Sequence, residues 1–270
     1  MRLFVSALRK LAPRMATLLT FGLLAGMLVL IDVAVVATRG VSNAGPDRPA
    51  NVLALITFPG AYNQILSFIL GLGGLFAVIY GAAIAGSEWT WGTLKTSVAR
   101  GESRSRYLLT TFAAIAVVLA IGVLFALVVG VVAAAIGATI AGVGLAGIGD
   151  RAALEALPEH FVRGWVAITE TAALGFAVAT LARSQLAGIG VGIALYFGET
   201  FAGLFLPDVV KYLPFHLATA AVGGSTGFAP VPSVTGPVMS TDTALVLVAT
   251  WLLASLVVAA GFGERAEITG

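Results

Sequence analysis

Few residues in this 270-residue chain have the type and spacing for chemistry, and most of the motif-like spacings fail on context. Gly142, Gly144 and Gly147 match the dinucleotide fingerprint G-x-G-x-x-G, and Gly223-Gly224-Ser225-Thr226-Gly227 matches the nucleophile elbow G-x-S-x-G. Both chemistries need a strand running into a helix. The first match lies in an apolar helical run and the second lacks that context, so in a chain with 33 glycines both are read as chance. None of Lys10, Lys95 or Lys211 follows a glycine, so there is no P-loop and the chain is not its own ATPase. The absence of cysteine removes thiolate ligands, nucleophiles and disulfides, and His160 and His216 are too few and too far apart for a histidine-rich metal site. No catalytic or metal-ligating set emerges. Glu170, between Thr169 and Thr171 in the middle of an apolar run, is the one acid placed to line a polar pathway through a membrane. It must otherwise be neutral and hydrogen-bonded within a bundle. Asp32 and Glu199 lie nearer the ends of their runs.

The elements around these residues are membrane helices. The chain is 59% hydrophobic and 10% charged, with a mean hydropathy of +1.02. Its apolar residues come in blocks long enough to cross a bilayer, without the short alternating segments of a β-barrel. The fold class is therefore all-α and polytopic. The net charge of +2 gives no reason to expect a nucleic-acid partner; the lipid bilayer is the expected surroundings.

Residues 1–12 read as an interfacial amphipathic helix, with Arg2, Ser6 and Arg9 on one side and Leu3, Phe4, Ala7, Leu8 and Leu11 on the other. Six spans follow, at about 15–37, 62–85, 107–130, 162–182, 186–206 and 243–262. The stretch 131–149 is open between a helix extension, a re-entrant piece and a seventh span. Segment 207–241 holds five of the ten prolines, Pro207, Pro214, Pro230, Pro232 and Pro237. With the N-terminus inside, ten of the fifteen lysines and arginines fall on the cytoplasmic side for six spans and eleven for seven; either count places the N-terminus and residues 86–106 there, and six spans put the C-terminus there too. The motifs Gly22-x-x-x-Gly26 and Gly188-x-x-x-Gly192 read as close helix contacts within the bundle, with a dimer contact open for one of them.

Segment 87–106, SEWTWGTLKTSVARGESRSR, is the longest polar stretch between two spans. Ser87 is suited to cap a helix, Glu88 to sit at its positive end, and Arg100-Gly101 to end it. Trp89, Trp91 and Leu94 supply apolar contact area. Docking to a cytoplasmic partner and anchoring of the tryptophans in lipid headgroups both fit this pattern.

The run from Ala85 through Glu88-Trp89-Thr90-Trp91-Gly92-Thr93-Leu94-Lys95, continuing to Arg104-Ser105-Arg106, resembles the hallmark segment of type-2 ABC transporter permeases. In that family an acidic-aromatic pair and Gly-Thr-Leu follow the second span. The resemblance is specific over about twenty residues and compatible in architecture over nearly the whole chain. This chain departs at Gly101 and Glu102, where family members often carry proline, and at Thr110-Thr111, where they often carry lysine. The resemblance implies the permease subunit of an ATP-driven exporter in the plasma membrane. Segment 86–106 would be a coupling helix docked on a separate ATPase through Glu88, Trp89, Trp91, Gly92, Thr93 and Leu94. Two ATPase copies and a second permease, identical or homologous, would complete the complex. ATP and Mg²⁺ would sit on the ATPase, with no cofactor on this chain. Segment 207–241 would supply short re-entrant helices.

Overall fold

The structure is a computed structural model that describes residues 2–38, 52–223 and 239–265. Every regular element among them is helical. In chain order these are α1 (Arg2–Leu11), α2 (Met15–Thr38), α3 (Gly60–Thr90), α4 (Thr93–Ala99), α5 (Arg104–Ala141), α6 (Arg151–Ala182), α7 (Gln185–Ala202), α8 (Pro207–Val210), α9 (Pro214–Ala220) and α10 (Thr241–Arg265). Single 3-10 turns at Val52–Leu55 and Ala146–Gly149 precede α3 and α6. Residues 39–51 of the predicted loop 38–61, and residues 224–238 of the predicted segment 207–241, lie outside the described residues. So does most of the elbow-like match at Gly223–Gly227.

Helices α2, α3, α5, α6 and α10 are long and apolar enough to cross a membrane. Helix α7, the predicted span 186–206, has 18 residues and stops at Ala202, a rise of about 27 Å against the ~30 Å of a hydrocarbon core. It is less apolar than the five and is not among them.

The helix that contains the predicted third span, 107–130, runs on past residue 130. Helix α5 runs unbroken through Gly130 for 38 residues, because Gly130 is a contact point, not a turn: a methyl group there would overlap Ile65 of α3. The helix stops twelve residues later at Gly142, whose left-handed backbone (φ 75°) lets Val143 N–H return to the Ala138 carbonyl at 2.9 Å. Residues 131–149 are thus a helix extension and a turn. The fourth span is also longer than predicted. The polar stretch from residue 150 forms the first turns of α6, with the Asp150 carboxylate accepting from Ala153 N–H at 2.8 Å.

Helices α3 and α6 form the most buried part of the bundle, and small residues explain why. Gly81 of α3 lies against the Ala172 backbone, and Gly175 of α6 against the Val78 backbone, so closely that a β-carbon on either would collide. Gly188 and Gly192 seat α7 in the same way on Ala179 and Val78, so this motif is internal packing. Gly22 and Gly26 face outward, with open space at each. Helix α1 does not expose its apolar side: Leu11 is buried and Phe4, Ala7 and Leu8 pack on the core beside α5. A second small core, Leu217, Ala221, Ala244 and Val248, joins α9 to α10.

Candidate functional site

Five elements meet at the end of the bundle where α3 finishes. Ser87 and Glu88 do not begin a helix, as their sequence suggests; they lie in the last turns of α3, which continues to Thr90. The apolar surface of α3 persists past the point where polar residues begin, so packing carries the helix on. The Ser87 hydroxyl donates back to the Ile84 carbonyl at 2.8 Å, which removes it from any capping role. The break comes at Gly92, in the left-handed region at φ 66°, and α4 then occupies only Thr93–Ala99. Its predicted stop holds: Gly101 has φ 90°, and Glu102 N–H returns to Ser97 O at 3.3 Å.

Glu88 is the centre of this junction, 1% exposed. Lys10 Nζ donates to Oε1 at 2.7 Å and to Oε2 at 2.8 Å, and Arg14 Nη2 donates to Oε1 at 3.2 Å. The Tyr107 hydroxyl donates to Oε2 at 2.5 Å, and the Thr93 hydroxyl donates to the same oxygen. One carboxylate thereby ties α3 to α1, to the α1–α2 connection, to α4 and to α5. Two cations and two hydroxyls supply the donors that a buried charge requires. Arg14 extends the network: Nη1 donates to the Ser87 hydroxyl at 3.0 Å, and its guanidinium lies 5.1 Å from the centroid of Trp91. Beside the junction is a cavity of about 370 Å³ lined by Lys10, Glu88, Thr96, Arg100, Tyr107 and Thr111, among others.

The six residues singled out by resemblance do not share one face. Glu88 and Leu94 are buried, Thr93 is engaged with Glu88, and Gly92 is the turn. Trp89 packs half-buried on the core, with the Arg183 guanidinium 5.5 Å from its ring; Arg183 is equally close to Phe262 of α10. Trp91 alone stands out, 65% exposed. Lys10, Arg14 and Tyr107 are the functional partners that the sequence reading misses. The i,i+4 placement of Lys10 and Arg14 on either side of Pro13, next to the start of α2, was the available signal.

Glu170 lies about three and a half turns along α6 from its C-terminal end and is wholly buried. Neither of its carboxyl oxygens has a hydrogen-bond partner, and neither does the adjacent Thr169 hydroxyl. Glu199 of α7 interacts with it electrostatically. Unlike Glu170, Glu199 is engaged: its Oε2 accepts from Phe215 N–H at 3.1 Å and His216 N–H at 3.2 Å, the first donors of α9 behind Pro214. Asp32 Oδ2 on α2 is also buried without a partner. Among the described residues, no three His, Asp or Glu side chains cluster to hold a metal ion.

Described residues that are all helical in their regular elements, with five helices among them able to span a bilayer, define a class, compatible with a multi-pass membrane protein. Within that class the chain belongs to DUF2705, a family of proteins of unknown function, whose model matches residues 46–262. No curated protein matches the chain.

Proposed function

We propose that this protein is the permease subunit of an ATP-driven exporter, a type-2 ABC transporter, coupled to a separate ATPase through the turn and short helix at 91–100. The single observation behind the reading is the Glu88 junction. A seven-residue helix with an exposed tryptophan before it is clamped by one buried carboxylate to α1 and to the ends of the two long helices α3 and α5. A force applied to α4 would therefore reach α1, α3 and α5 together. The docking surface is drawn from Trp91 and the outer side of α4, with Glu88, Thr93 and Leu94 acting from inside to hold that surface in place. Helix α7 serves as the sixth span, and α8 and α9 as the re-entrant helices. Both termini and α4 face the cytoplasm of a cell whose plasma membrane holds the complex of two ATPases and two permeases.

Co-purification tests this. A P-loop ATPase is expected to come down with the chain, and Trp91→Ala is expected to weaken the pairing without unfolding the protein. Recovery of the chain alone, transporting in vesicles without ATP, would sink the reading. The unpartnered carboxyl of Glu170 favours one second reading, a secondary transporter with Glu170 as proton carrier; transport would then follow the proton gradient and need no ATPase.

A further inference from the structure

The cavity of about 370 Å³ beside the Glu88 junction is lined by donors that the fold does not use. It lies between α1, α4 and α5, and each helix contributes. Ser6 and Lys10 stand one turn apart on α1, Arg100 follows the last residue of α4, and Thr110 and Thr111 lie side by side on α5. Among the described residues, no hydrogen bond or ion pair engages the side chain of Ser6, Arg100, Thr110 or Thr111. A threonine within a helix commonly returns its hydroxyl to the carbonyl one turn back, as Thr20, Thr90 and Thr180 do here. Thr110 and Thr111 do not, which leaves both hydroxyls available. Lys10 holds Glu88 with two short contacts, while its approach to the Tyr107 hydroxyl is 3.5 Å, at the limit of a hydrogen bond, so its third N–H is all but free.

The acids that face the cavity are already engaged. Glu88 is shared by Lys10 and Arg14, and Glu102 pairs with Arg106 at 3.7 Å. Arg100 adds a further cation with no carboxylate beside it among the described residues. The lining therefore presents an excess of positive charge and of N–H and O–H donors, and its carboxylate acceptors are occupied. A cation meets no free carboxylate there. An anion with several acceptor oxygens fits: a guanidinium fork takes two of them, and hydroxyls and an ammonium N–H take the others. A phosphate group, with charge and three or four oxygens at tetrahedral spacing, meets that description better than a carboxylate with two oxygens in one plane.

We propose that this cavity binds a phosphate group, with Arg100 and the third N–H of Lys10 as its charged donors and Ser6, Thr110 and Thr111 as its hydroxyl donors. The site does not depend on the permease reading. Two sources carry the chemistry, the headgroup of an anionic phospholipid and free phosphate, and the experiment below separates them. Occupancy would have a mechanical effect. Glu88 holds α4 only at its start, through Thr93; a phosphate on Arg100 would hold the other end of α4 to α1 and α5.

The test uses the full chain in nanodiscs and reads amide hydrogen exchange over residues 93–100. One arm compares phosphatidylcholine discs with discs containing phosphatidylglycerol, and with discs brought to the same surface charge by oleate. The other arm titrates inorganic phosphate against chloride at matched ionic strength, in phosphatidylcholine discs. Exchange in α4 is expected to slow with phosphatidylglycerol, with inorganic phosphate, or with both. Slowing by the lipid alone identifies a headgroup site, and slowing by phosphate in pure phosphatidylcholine identifies a soluble ligand. Arg100→Gln is expected to weaken the effect about tenfold, since a charge-assisted contact is lost, and Thr110→Val is expected to weaken it less. Arg151→Gln removes the same charge at the opposite end of the bundle and should leave it unchanged. No slowing in either arm overturns the proposal, as does equal slowing by chloride and by oleate; both results are read on the wild-type chain, whatever the variants do. Equal losses in Arg100→Gln and Arg151→Gln would also overturn it, because the effect would then belong to overall charge and not to this cavity.

Discussion

Glu88 and Glu170 are both buried carboxyl groups on the two central helices, and their surroundings are opposite. Glu88 has donors from four side chains, reaching it from both sides of Pro13 and from the starts of α4 and α5. Glu170 has none. A buried charge that is fully paired holds its neighbours in one arrangement. One with nothing to pair with costs stability in the state where it is alone, and such a cost persists in a protein when another state makes use of it. The first site has the character of a fastening; the second fastens nothing.

Substitutions can break or sharpen this contrast. The largest effect is expected from Glu88→Ala, which leaves Lys10 and Arg14 facing a half-buried void; a loss of about 3–5 kcal/mol in detergent unfolding checks it. A loss near zero would show that the junction is not a fastening. Glu170→Leu should act with the opposite sign. Removing an unsatisfied buried carboxyl is expected to raise stability by about 1–3 kcal/mol, read as a higher midpoint in the same unfolding assay. Destabilisation there would mean that Glu170 has a structural partner after all. Glu199→Ala removes the acceptor at the start of α9 and should cost about 0.5–2 kcal/mol, with amide exchange rising in α9 before the rest of the chain. Trp91→Ala should change stability by no more than about 0.5 kcal/mol, because the ring is largely exposed, and its effect should fall on partner binding.

Much of the fold was legible because membrane helices announce themselves through length and apolarity. The starts of α2, α7 and α10 fell within two residues of their predicted positions. What misled was local chemistry outweighed by packing. Ser87-Glu88 looks like a helix start, yet it closes α3, since the buried side of that helix continues through Glu88. Gly130 looks like a break in α5, yet it is a contact with Ile65. Gly101 was read correctly because a positive φ at a helix end is a local demand that no distant residue can overrule. The Glu88 partners were illegible for a different reason. Lys10 and Tyr107 lie 78 and 19 residues away, and the spacing of Lys10 and Arg14, the one local signal, does not say which acid they meet. Glu170 was visible as an acid in an apolar run; that it would have no partner could be learned only from the packing around it.

The contact of Gly81 with the Ala172 backbone, and of Gly175 with the Val78 backbone, bears on how α3 and α6 can move relative to each other. At these two points main chain meets main chain, with no side-chain rotamers to rearrange, so the contact there does not yield gradually under load. Helices α3 and α6 must then travel as one beam, with Glu88 near one end and Glu170 farther along its length. A tilt imposed at the α4 end becomes a displacement at Glu170 without any relay of intervening side chains, and its size is set by leverage.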